Sequence, residues 1–202
     1  MTKILVWDLP TRVGHWLLVA TFAIAWLSGE SEAWRLVHVA AGYAMGALLL
    51  FRILWGFAGT RYARFASFLF SPGAAFGYLF GLLRGRPAHY TGHNPAGSYA
   101  IYGLILLGLF TIGSGWATYQ ELGGDAMEEA HDIAADLMLV LVILHVLGVV
   151  LGSVMHREKL ILSMINGYKQ GEAGQGIDSA RAAWLLLMAA LLAVAIWLAY
   201  NT

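Results

Sequence analysis

Five apolar runs dominate this chain, at about residues 13–29, 35–57, 98–119, 130–155 and 182–200. Crossing a hydrocarbon layer of ~30 Å takes about 20 residues, and all five runs are near or above that length. A backbone threaded through lipid must satisfy its own hydrogen bonds, so runs of this kind are expected to be spanning helices. The composition agrees, since 59% of the 202 residues are hydrophobic and only 12% are charged, whereas a soluble domain carries about 25% charge. So much apolar side chain excludes disorder, and 12 basic against 12 acidic residues leave no net field to draw nucleic acid. The expected fold class is an all-α integral membrane protein.

The first run follows Lys3 and Arg12 in the manner of a basic leader, but it contains Trp16 and Trp26. It ends in Ser28-Gly29-Glu30 without a small-x-small cleavage site, so it is read as a retained spanning helix. Between the second and third runs, Phe68 to Leu83 is apolar but opened by Ser71-Pro72 and interrupted by Gly73, Gly77 and Gly81. With Arg61 and Arg64 before it and Arg84 and Arg86 after, it is too short and too basic at its edges to span. It reads as an interfacial helix over about 72–84 on the cytoplasmic face. Gly167 to Asp178, with Gly171, Gly174 and Gly176, reads as a flexible polar linker. The expected organisation is a helical domain over 1–170, a linker over 171–181 and an additional transmembrane helix in 182–202.

Translocated loops disfavour Lys and Arg. With the N-terminus cytoplasmic, Lys3, Arg12, Arg52, Arg61, Arg64, Arg84, Arg86, Arg157, Lys159, Lys169 and Arg181 fall on or near the cytoplasmic side, and Arg35 alone lies outside. Glu30, Glu32, Glu121, Asp125, Glu128, Glu129, Asp132 and Asp136 then line the two outer loops, an acidic rim able to steer a cationic partner at low salt.

The chain has no cysteine, which excludes disulfides and thiolate-held metals. A metal would have to be held by the seven histidines or the carboxylates. Four histidines, His15, His38, His131 and His145, fall inside the apolar runs, where ionisable side chains are rare and default to function. By depth they sort into an inner pair, His15 with His145, and an outer pair, His38 with His131. The 14 residues from His131 to His145 turn through about 1400°, only about 40° short of four turns, and rise ~21 Å, so both rings leave one face of their helix. One His from each of two facing helices at a shared depth suits a haem held edge-on within four helices. Two axial imidazoles leave iron no open position, which fits electron transfer better than oxygen activation.

Small residues flank these histidines: Gly42 and Gly46 follow His38 at four-residue steps, Gly14 precedes His15, and Gly148 follows His145 by three. A flat macrocycle needs such neighbours, although Gly42-x-x-x-Gly46 is equally an ordinary helix-packing motif. Zinc is the competing metal, with Glu128, Asp132 and Asp136 beside His131 to complete its ligand set. Otherwise one of these carboxylates, or a backbone carbonyl, accepts the second imidazole proton. Arg52, 14 residues after His38, falls near the same face, placed to pair with haem propionates or a quinone head group or to snorkel to the headgroups. His93, in the loop from Arg86 to Pro95, is a candidate proton donor to quinone. His89 and His156 are expected to have no ligand role.

At this point the sequence resembles the bacterial cytochrome b561 and nickel-iron hydrogenase b-type cytochrome family. The residues that carry the resemblance are Trp7-Asp8-x-Pro10-x-Arg12-x-x-His15-Trp16, His38-x-x-x-Gly42, Arg52-x-x-Trp55-Gly56-x-x-Gly59 and Tyr62-x-Arg64-Phe65. They continue through Gly92-His93-Asn94-Pro95, the pair His131 and His145, and Met164-x-x-Gly167-x-Lys169. The ordered set covers roughly residues 4 to 170. It implies a four-helix haem-binding transmembrane bundle, haem b with bis-histidine ligation by His15, His38, His131 and His145, and electron exchange with quinone. The fifth hydrophobic stretch, Ala182 to Tyr200, departs from the four-helix pattern.

The expected function is a di-haem b cytochrome of the bacterial cytoplasmic (inner) membrane, passing electrons between the quinone pool and a periplasmic partner, either a c-type cytochrome or a hydrogenase-like redox protein. Two haems are expected, with a single haem as the alternative. A second reading is a stand-alone quinone oxidoreductase fed by a small donor such as superoxide, which the scarcity of outer basic residues disfavours. A third is a non-redox anchor or transporter with the histidines as a proton relay.

Overall fold

The computed structural model describes residues 2–201. In chain order the elements are β1 (Thr2–Leu5), α1 (Leu9–Ser28), α2 (Arg35–Ala58), α3 (Pro72–Leu83), α4 (Pro95–Tyr119), α5 (Asp125–Met155), α6 (Leu160–Asn166), β2 (Tyr168–Gly171) and α7 (Leu185–Asn201), with single 3₁₀ turns before α2, α3 and α7. Among the described residues four segments are long and apolar enough to cross a membrane, and they correspond to α2, α4, α5 and α7. The 20-residue α1 is not among them because Arg12, His15 and its glycine, threonine and tryptophan residues dilute its hydropathy. The protein is thus an all-α membrane protein in its spanning part, as expected.

The burial pattern explains how the long helices sit in an apolar solvent. Along α5, Ile133, Leu137, Val140, Leu144, Leu147, Leu151 and Val154 are all about half exposed at alternating steps of four and three, an apolar stripe that water would not tolerate but lipid does. On the other side of the same helix, His131, Ala134, Met138, His145 and Gly152 fall on the buried or half-buried stripe. In α2 the inward stripe runs His38, Ala41, Met45, Leu48, Arg52 and Trp55.

The chain divides into two compact units. The first comprises residues 2–12, 54–103 and 141–182. Its centre is a two-stranded antiparallel sheet in which Thr2 faces Gly171 and Leu5 faces Tyr168, over a small core of Ile4, Val6, Trp7 and Tyr62. Gly167 makes this closure feasible. It ends α6 at φ 89°, its carbonyl accepts from the backbone N–H of Val6 and Trp7 at 2.8 and 3.1 Å, and a Cβ there would lie 2.7 Å from the Trp7 carbonyl oxygen. The flexible linker expected over 167–178 is therefore corrected. Tyr168–Gly171 is a strand, Ile177 N–H donates to the Leu5 carbonyl at 2.8 Å, and Tyr62 Oη donates to the Gln175 carbonyl at 2.7 Å. A polar, glycine-rich segment is anchored here by backbone bonds, which its composition does not reveal.

Asp8 is the polar hub of this unit. It is fully buried and caps α1 by accepting the Thr11 N–H at 2.8 Å, with Pro10 fitting the first turn. The same carboxylate accepts Trp55 Nε1–H at 3.1 and 3.2 Å and the Thr60 hydroxyl at 2.5 Å. Beside it, a Cβ on Gly56 would stand 2.1 Å from the Phe65 ring, so only glycine permits that approach. A helix forms over Pro72–Leu83, within the stretch read as interfacial. Ser71 caps α3 by accepting Ala74 N–H at 3.3 Å, and its 12 residues reach only ~18 Å. It buries Tyr78 and exposes Phe76, Phe80 and Leu83.

The second unit comprises residues 13–53, 104–140 and 183–201. Helices approach closely where glycines remove side chains. A Cβ on Gly108 of α4 would lie 2.8 Å from Leu49 of α2 and 3.6 Å from Met138 of α5. The additional helix α7 belongs to this unit. Its Met188, 2% exposed, would meet a Cβ on Gly14 at 3.3 Å, so α7 packs on α1 one residue from His15.

Candidate functional site

Two of the four intramembrane histidines meet within the second unit. His38 of α2 and His131 of α5 have ring centres 6.0 Å apart, with planes at 84°. Each Nδ1–H donates to a helix carbonyl, His38 to Ala25 in α1 at 2.8 Å and His131 to Thr111 in α4 at 2.9 Å. A carbonyl can only accept, so both Nδ1 atoms carry the proton and both Nε2 lone pairs are left for a ligand. Sequence reasoning left carboxylate or carbonyl open as the partner, and the structure selects carbonyls. Glu128, Asp132 and Asp136 are exposed, and among the described residues no three His, Asp or Glu gather in a metal-binding group. The carboxylate-completed zinc site is thereby corrected.

The neighbours of this pair explain its precision. Ala25 stands near the end of α1, where the carbonyls begin to lose their helical partners. The Thr111 carbonyl is reached because residue 115 is glycine: a Cβ there would lie 2.7 Å from His131 Cε1 and 2.9 Å from Nδ1. Gly29 approaches His38 in the same manner, at 3.6 Å. Gly115 and Gly29 were missed in the sequence. The signal available was the Gly113-Ser114-Gly115 run in an otherwise large-residue span, which reads equally as packing.

The space and donors fit a metal-centred macrocycle. His38 and His131, with ring centres 6.0 Å apart, would hold such a metal through their two free Nε2 lone pairs. Gly42, one turn after His38, has no heavy atom within 4 Å of a built Cβ, so the space beside it on α2 is open.

Of the other candidates, His15 lies in the second unit, edge-on to Trp16 at 5.2 Å, while His145 lies in the first, on the inward stripe of α5 with open space at Gly148. The inner pair is thus divided between the two units. Arg52 is half-buried on the inward stripe of α2. His93, in the first unit, is wedged between Trp7 and Phe68, with ring centres at 4.7 and 4.4 Å.

The first unit also holds a polar cluster that sequence reasoning passed over. Glu158 accepts from His89 Nε2 at 2.7 Å and from the buried ammonium of Lys169 at 3.0 Å, which also donates to the Tyr90 carbonyl at 3.2 Å. Burial pushes the Glu158 carboxyl up, but the hydrogen bonds and charges of His89 and Lys169 outweigh it and hold the group below its ordinary value. His156, 3.3 Å from Tyr78 Oη, is pushed down by burial and by the charge of His89. Burial, with Tyr90 nearby, raises Tyr78.

Comparison with known proteins agrees with this architecture. The family model described as prokaryotic cytochrome b561 matches residues 6–167. Similar curated proteins include the probable Ni/Fe-hydrogenase 1 B-type cytochrome subunit of Escherichia coli K12, 28% identical over 84% of this chain and 92% of that protein. The probable Ni/Fe-hydrogenase B-type cytochrome subunits of Rhodobacter capsulatus and Azotobacter vinelandii are each 26% identical, over 83% of this chain and 82% and 89% of theirs. No solved structure matches the chain significantly. A match from Val6 to Gly167 takes in all four histidines of the apolar runs and the Asp8 hub, and on that ground the chain belongs to the prokaryotic cytochrome b561 family and is a membrane b-type cytochrome.

Proposed function

We propose that this protein carries electrons between a hydrogenase-like redox partner and membrane quinone through two bis-histidine haem b groups, one on His38 and His131 and one on His15 and His145. Haem b supplies reversible one-electron chemistry when bound. The observation that carries the reading is the His38–His131 pair, 6.0 Å between ring centres, with both Nδ1 protons fixed on carbonyls so that both Nε2 lone pairs stay available to a metal. Carbonyl-anchored imidazoles are oriented and made more basic before any metal arrives. Arg52 is assigned to a haem propionate or a quinone head group, and His93 to proton delivery at the quinone.

The relatives are named as hydrogenase B-type cytochrome subunits, which supports a hydrogenase-like partner here over a c-type cytochrome. The basic residues favour an N-in orientation, and with it the acidic outer loops support a partner on the periplasmic side of a bacterial inner membrane. The test is haem b per polypeptide by pyridine haemochrome in detergent, for wild type and for H38A, H131A, H15A and H145A. About two haems, with each substitution removing about one, is expected from two axial imidazoles per iron. A wild type near zero overturns the cytochrome reading. Loss of haem in H38A but not in H131A overturns the pairing.

A further inference from the structure

A basic cavity of about 240 Å³ opens in the first unit, lined among others by Lys3, Arg157, Glu158, Lys159 and Leu162. Its one carboxylate is already engaged, because Glu158 holds His89 and Lys169. Among the described residues no carboxylate pairs with Lys3, Arg157 or Lys159. Lys3 rests its ammonium over the Tyr168 ring at 4.6 Å, and the other two project from the turn between α5 and α6. Three unpaired cations around one concavity repel each other until an anion enters.

Two further observations point to where that anion comes from. The cavity lies just past Met155, the last residue of a span-length apolar helix, so it stands at headgroup level. Its lip continues into α6, which exposes Ile161, Leu162 and Ile165, an apolar surface suited to acyl chains and not to a hydrated ion. Arg157 itself sits at φ 53°, a left-handed conformation that costs a non-glycine residue strain. Glycine would relieve that strain, yet the position carries an arginine, which lines the same cavity as Lys3 and Lys159.

We propose that this cavity binds the phosphate of an anionic phospholipid, with Lys3, Arg157 and Lys159 as its ligands and the exposed face of α6 receiving the acyl chains. Phosphatidylglycerol and cardiolipin carry the required chemistry, and zwitterionic lipids offset it with their own cation. The site is independent of the haem assignment, since none of its residues belongs to a histidine pair.

The test uses the full-length protein in neutral detergent doped with phosphatidylglycerol, phosphatidylcholine or millimolar inorganic phosphate, read by native mass spectrometry and thermal melting. Phosphatidylglycerol is expected to be retained and to raise the melting temperature, while phosphatidylcholine does neither. Each cation removed should weaken retention about fivefold, so K3Q/R157G/K159Q loses nearly all of it. The single variant R157G guards against misfolding, because glycine suits that backbone: it should melt no lower than wild type without lipid and still lose about fivefold in retention. Equal retention of both lipids, or undiminished phosphatidylglycerol binding in R157G and the triple variant, overturns the proposal. Inorganic phosphate that stabilises as strongly as the lipid also overturns it, by assigning the cavity to a free anion.

Discussion

The two units use polar side chains in opposite ways. In the first, Asp8 binds Trp55 and Thr60, and separately Glu158 binds His89 and Lys169, each fastening segments far apart in sequence. In the second, His38 and His131 donate to the carbonyls of helices that are already formed, and what surrounds them is glycine. Among the residues that carry the family resemblance, Trp7, Asp8, Trp55, Gly56 and Gly167 are fasteners. The proposed redox chemistry of the second unit depends on few side chains and on the absence of others, so motif density is a poor guide to where chemistry sits.

Substitution at Asp8 should break this contrast most forcefully. D8A removes the acceptor that the Trp55 indole, the Thr60 hydroxyl and the Thr11 N–H share, an expected loss of about 3 kcal/mol. Melting followed by tryptophan fluorescence should fall sharply, while haem per folded polypeptide on the outer pair stays near wild type. Equal loss of haem would erase the distinction between fastening and chemistry.

The glycines around the histidines give the next largest effect. G115A drives a methyl group into the His131 ring and should weaken haem retention about tenfold, the scale on which a ligand's outer partner matters. G42A meets no protein atom within 4 Å, so the haem-free protein should melt no lower. Its haem occupancy should nevertheless drop, because the methyl group enters the volume assigned to the macrocycle. Full occupancy in G42A would move the haem away from that face of α2.

Acid should sharpen the contrast more gently. His156 is held below its ordinary value, so its contribution is complete above about pH 6.5 and is lost as pH falls through the lowered value. Glu158 is also lowered; its contribution is complete above about pH 4.3 and fades on further acidification. Both groups are partly solvated, so each is worth less than about 1 kcal/mol. Melting curves from neutral pH downward should fall in two shallow stages, with H156Q flattening the first and E158Q the second. A single steep loss unaffected by both variants would remove the cluster as its cause.

Much of the membrane architecture was legible because lipid imposes simple rules. Run length announced the helices, Ser71-Pro72 and the short apolar reach beyond it announced α3, and the 14-residue step in α5 placed His131 and His145 on one stripe. The closure of the first unit was not legible. Thr2–Leu5 and Tyr168–Gly171 are four-residue strands without period-two patterning, and they lie more than 160 residues apart. Gly115 was hidden for a different reason, since glycine in a spanning helix signals close approach without saying to what. Asp8 read as part of a motif, but its three partners come from another helix, a loop and its own first turn.

The small sheet also counts membrane crossings. Strands that share a ladder lie in one compartment, and a chain that leaves and returns to a compartment crosses an even number of times. Between β1 and β2, the helices α2, α4 and α5 are long and apolar enough for three crossings, and α3 is too short to add one. The fourth crossing falls to α1, despite the polar residues that lower its hydropathy. α7 is long and apolar enough for a fifth crossing, and reporters fused at the two ends are expected to light up in different compartments.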